Sequence, residues 1–227
     1  MRAWTAERLG AVAGVAFVVL AIIGAFTAGS TPKFDDSASE IVSFFRDNHN
    51  AVIFSAILTG IASPLFVWLV AAIALTLRAA GQTAWAGVAF AAGLVGTGLA
   101  TAADAVGGSL AHIANNGDNG LTQSLYQLQG FFVAKAFWFA AVVTLAVGVA
   151  AWRAALPRWY AALSLGAVVL FVLGGVSLKS SGFLAPLDSM QLIAYLGLLL
   201  WSLATAAVLW MTAPVTEVRR APAPTPA

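Results

Sequence analysis

The chain has 227 residues, 61% hydrophobic and 9% charged, with a net charge of +2 and no cysteine. A charged fraction so far below the roughly 25% of soluble domains excludes an ordinary water-soluble fold. The missing cysteine excludes disulfides, thiolate catalysis and cysteine-ligated iron–sulfur clusters.

Crossing the hydrocarbon of a bilayer as a helix takes about 20 mostly apolar residues. Six stretches meet that requirement, at about 9–29, 51–78, 83–106, 129–152, 158–178 and 189–211. The first is uncharged from Leu9 to Ala28 and the second from Ala51 to Leu77. Arg2 and Arg8 precede the first run as they would in a signal peptide. That run exceeds the 7–15 residues of a signal core and no A-x-A site follows, so it is expected to be an uncleaved span. The expected fold is all-α: a six-helix transmembrane bundle over residues 1–212, with a disordered Pro/Ala-rich tail at 213–227.

Between spans one and two, residues 37–48 read as a short amphipathic helix. Ser37 and Glu40 have capping-box spacing, and Ala38, Ile41, Val42 and Phe45 share one face. That face either lies on the membrane surface or caps the bundle. Pro64, inside span two, removes a helical hydrogen bond and is expected to kink the helix. The Gly- and Asn-rich segment 107–120 must contain a turn. Leu121, Leu125 and Leu128 then carry helical spacing into span four. Pro157 sits at the start of span five, where a missing N–H costs nothing. Asp188 and Gln191 suggest a second capping box, opening span six.

Lys and Arg in the loops set the orientation. Arg2, Arg8, Arg78, Arg153, Arg158, Arg219 and Arg220 fall on one side, and Lys33, Arg46 and Lys179 on the other. The excess predicts both termini in the cytoplasm. Trp4, Trp85, Trp152, Trp159 and Trp210 lie near the same boundary, as an interfacial belt would. The basic residues therefore mark membrane ends, and nucleic acid is not an expected partner.

Asp104 and Lys135 are the charges expected inside the bilayer, at matching depths of roughly 5–9 Å below the outer boundary. Burying either alone costs about 2.5–3.5 kcal/mol, so an ion pair is expected. It would serve either as a helix lock or as the charged end of a proton, ion or ligand site. Trp68, Trp138 and Trp201 fall near the middle of spans two, four and six, with Phe66, Phe137 and Phe139 nearby. They are candidates for an aromatic ligand cavity, or else for packing, because an indole N–H away from the interface needs a partner. Gly10/Gly14 and Ala92/Gly96 have the small-xxx-small spacing of close helix contacts. His49 and His112 lie at the outer face without paired-ligand spacing, and Asn115 to Gly120 lacks the glutamate that closes a calcium loop. No metal, cofactor or catalytic residue is expected.

The stretch Gly24-Ala25-Phe26, Pro32-Lys33, Asp35-Asp36-Ser37, Glu40-Ile41-Val42 and Phe44-Phe45, running into a long second span, resembles small six-span proteins of actinobacteria of unknown function. The resemblance covers the first two spans and their loop. It implies a multi-pass protein of the bacterial plasma membrane and brings no substrate, cofactor or catalytic residue. The expected role is a non-enzymatic accessory or scaffold component of a membrane complex, with the bilayer and protein partners or further copies around it. The alternative is a small transporter, channel or lipid- or apolar-ligand-binding protein.

Overall fold

A computed structural model describes residues 5–116, 118–153, 156–179 and 181–213. Seven α-helices run in order through them: α1 (Ala6–Thr27), α2 (Ala38–Asp47), α3 (His49–Ala79), α4 (Thr83–Ile113), α5 (Asn119–Arg153), α6 (Arg158–Gly175) and α7 (Ser189–Thr212). All but α2 are long and apolar enough to cross a membrane. The molecule is a multi-pass integral membrane protein built as a six-helix bundle. Arg2, Trp4, Gly117, Arg219, Arg220 and the tail from 214 onward lie outside the described residues.

Lipid tails are as apolar as leucine, so hydrophobic burial does not hold such helices together; close packing of small residues does. The bundle follows that rule. Its interior is rich in alanine and glycine, while Val12, Val15, Val19, Ile57 and Leu200 stand exposed on the surface. Gly10 shows the cost of any other choice. A Cβ there would sit 2.1 Å from the Ala72 Cβ on α3. Gly14 and Gly96 are packed within the chain too, against Leu69 and Phe139 respectively.

Each helix end has a local cause. Thr5 caps α1 by accepting from the Arg8 N–H. Gly81 ends α3 with a positive φ of 80°, a conformation glycine adopts without strain. Both α4 and α5 extend past the lengths expected from hydropathy. A short 3-10 segment at Ala114–Asn116 follows α4, and α5 begins at Asn119. Gly107 and Gly108 therefore lie inside α4, and Asp104 stands nine residues, about 14 Å, from its end. The early start of α5 agrees with the leucine spacing. The second capping box departs from expectation. Asp188 accepts from the Ser189 N–H at 2.6 Å, but the Gln191 side chain turns to the Leu187 N–H at 2.8 Å. Leu187 has a φ of 60°, and this bond holds its strained backbone. Pro64 lies within a continuous α3.

The amphipathic helix α2 caps the bundle. Ile41, Val42 and Phe45 are buried with Leu110, Ala111 and Tyr126 of α4 and α5. Its start is a complete capping box: the Glu40 carboxylate accepts from the Ser37 backbone N–H at 2.9 Å and from its hydroxyl at 2.7 Å.

Candidate functional site

Two cavities meet under α2, separated by Thr59 of α3 and Asp104 of α4, which line both. The inner one, about 200 Å³, lies among α1, α3, α4, α5 and α7. Its walls are apolar, with Phe17, Phe66, Phe137 and Tyr195 as the large contributors. The outer one, about 120 Å³, is roofed by Phe44 and Phe45 of α2 and bordered by Thr31, Tyr126 and Gln129.

Sequence and packing explain this void. Ala100, Ala136 and Ala140 line the inner cavity where larger side chains would fill it, while Gly93 and Gly96 on its wall are packed against Val70 and Phe139. Around it the framework is fixed by polar side chains bonded to neighbouring backbone. Tyr195 on α7 donates to the Ala21 carbonyl of α1 at 3.1 Å, and Ser55 on α3 donates to the Gly24 carbonyl at 2.9 Å. The Tyr126 hydroxyl donates to the Pro32 carbonyl and ties the α1–α2 loop to α5. The Gln129 Oε1 is buried without a hydrogen-bond partner among the described residues. The strained Leu187 also borders the outer cavity.

Asp104 is thus a carboxyl group beside the Thr59 hydroxyl, facing an apolar chamber on one side and a more polar one on the other. Such a group offers a single anionic or accepting point to a ligand otherwise held by aromatic and small apolar walls. Pockets for drug-sized ligands run to about 300–1,000 Å³. A chamber of 200 Å³ suits something smaller.

Lys135 does not join Asp104. The contacts Gly96–Phe139 and Gly107–Gln129 set the antiparallel register of α4 and α5 and put Asp104 level with Phe131 and Phe132, one turn from Lys135. One turn along the axis would still leave them within reach; the rotation does not. Val133, Ala136, Phe137 and Ala140 present one face of α5 to the cavity. At 100° per residue Lys135 falls on the opposite face, where it is exposed. The expected ion pair is therefore absent from this arrangement.

The three mid-span tryptophans also lie outside the cavity walls. Trp201 is 1% exposed and donates to the Ser164 hydroxyl at 3.0 Å. Trp138 donates to the Gly175 carbonyl at 3.1 Å, and Trp68 is half exposed. The cavity aromatics are instead Phe17, Phe66, Phe137 and Tyr195, of which Phe66 and Phe137 were among the neighbours noted in the sequence. Thr59 and Gln129 went unremarked there. A signal for the first existed: Ser55, Thr59 and Ser63 recur every four residues and form a polar stripe on an otherwise apolar helix.

His49 and His112 stand with ring centroids 5.1 Å apart, and His49 Nδ1 meets the Ala111 carbonyl at 2.9 Å. Among the described residues, no group of three or more His, Cys, Asp or Glu side chains converges to hold a metal. No family model matches the chain, and no match is found among curated proteins or solved structures.

Proposed function

We propose that this protein is a non-catalytic binding protein or transporter for a small, largely apolar molecule bearing a cationic or hydrogen-bond-donating group. The observation that carries the reading is the position of Asp104, with Thr59, on the partition between the two cavities. A carboxyl group inside a membrane bundle is expensive, and such groups as a rule face a cavity or pathway and mark function. An accessory or scaffold role requires no polar path through the membrane. Asp104 between two chambers supplies part of such a path, so the ligand reading takes precedence.

We place the protein in a bacterial plasma membrane with both termini cytoplasmic, on the strength of the Lys/Arg asymmetry and the resemblance in the first two spans. The ligand then enters from the extracytoplasmic side, beneath α2.

The test is thermal unfolding of the detergent-purified protein with small aromatic amines and with their isosteric alcohols. A bound amine at a hundredfold excess over its Kd stabilises by about 2.7 kcal/mol. The expected result is a rise in Tm with amines that Asp104→Asn abolishes. Equal responses of wild type and D104N, or no response to any amine, would overturn the reading.

A further inference from the structure

On the other side of the bundle, α1 and α7 leave an open apolar groove. It is floored by Ala206 and Ala207 of α7 and flanked by Val12, Val15, Val19 and Trp210. Along α1 it runs from Ala11 to Leu20, about 14 Å at 1.5 Å per residue. A bilayer's hydrocarbon core is about 30 Å thick, so the groove is as long as one leaflet. At its end the Arg8 guanidinium lies 5.8 Å from the centroid of the Trp210 ring, which itself lines the groove. The Arg8 Nε is buried and has no hydrogen-bond partner among the described residues. This is the end of the bundle that also carries Arg78, Arg153 and Arg158.

We propose that the groove holds an acidic phospholipid of the leaflet at that end, one acyl chain lying between α1 and α7 and the phosphate bound by Arg8. Three features fit that occupant together. The apolar length matches one leaflet, a tryptophan sits at headgroup depth, and the Arg8 cation stands beside that tryptophan at the end of the groove, where a headgroup begins. The phosphate of a zwitterionic headgroup is offset by its own cation, so an arginine at the membrane surface prefers a headgroup of net negative charge. The site is separate from the Asp104 cavities and does not depend on the function proposed for them.

The experiment is native mass spectrometry and thermal unfolding of the full chain, delipidated and then supplied with phosphatidylglycerol or phosphatidylcholine. The wild type is expected to retain one phosphatidylglycerol with about a fivefold preference, the worth of one arginine beside an anionic headgroup. Arg8→Gln should remove the preference while its Tm in phosphatidylcholine stays near that of the wild type. Arg78→Gln, at the same end but off the groove, should keep it. Ala207→Leu, which fills the groove, should reduce retention of both lipids. An unchanged preference in R8Q, an equal loss in R78Q, or a dimer cross-linked through Val15 in place of lipid would each overturn the assignment.

Discussion

The half of the bundle where α6 packs on α5 and α7 is closed, and the half where α1, α3 and α4 face α5 and α7 is hollow. In the closed half the large aromatic side chains Trp201 and Tyr160 fill space and their polar atoms are satisfied. Trp201 is buried on Ser164, and Tyr160 donates to Thr205, whose hydroxyl donates onward to the Trp201 carbonyl. Phe137 and Phe171 stack at 6.1 Å. In the hollow half the facing positions are alanine and glycine, and polar groups remain open to the space between them. Both halves use the same residue types on the same kind of helix. The difference is what faces each small residue: Gly174 receives Ala194 and Phe137, and Gly148 receives Leu165, whereas Ala100 and Ala136 line the cavity. Small residues therefore make either a tight seam or a binding chamber.

Mutations should separate the halves by size of effect. Trp201→Ala is expected to cost the most, about 3–5 kcal/mol, because it opens a large hole in a filled core and orphans the Ser164 hydroxyl. Unfolding by SDS titration in mixed micelles would measure it. A loss below about 1 kcal/mol would mean that the closed half is looser than its geometry indicates. Gly10→Val should come next, at about 1–3 kcal/mol, by pushing α1 from the backbone of α3 at Ala72. The same titration reads it, and a cross-link between positions on the two helices should weaken in parallel.

Ala100→Val should change stability by less than about 1 kcal/mol, since the added methyl groups enter existing space. It should nevertheless abolish the Tm response to amines. A stability loss as large as that of Gly10→Val would remove the contrast between the halves.

The smallest effect concerns the roof. The Ser37 hydroxyl and N–H donate to Glu40 and hold its carboxyl below the ordinary value of 4.5. A carboxyl lowered on folding contributes stability that is present above the unfolded value and lost as pH falls through the folded one. Acidification below about 4.5 should therefore loosen α2 first. Hydrogen exchange of residues 38–47 should accelerate there in the wild type, and Glu40→Gln should flatten that pH dependence. Equal acceleration in both would show that the cap is not the acid-sensitive element.

Much of the fold was legible because its signals are local. Runs of apolar residues long enough to span lipid mark six helices without reference to any neighbour. The capping box of α2 and the leucine spacing before span four are likewise read within one turn. The short amphipathic helix could be found but not placed, since an apolar face fits a lipid surface and a helix bundle equally well. Its seat on Leu110, Ala111 and Tyr126 depends on α4 and α5 running on past the hydropathic spans.

The sequence by itself determined the class of the protein and the number of its spans. Tertiary structure decided which way each helix turns. A helix that is apolar all round carries no stripe to say which face points inward, because lipid and protein interior are alike to a valine. Rotation is set by where glycine and alanine let two helices meet. That is why Asp104 and Lys135, one turn apart along the bundle, face different ways, why the tryptophans lie outside the cavity, and why a threonine on α3 stands beside the half-buried carboxyl of Asp104.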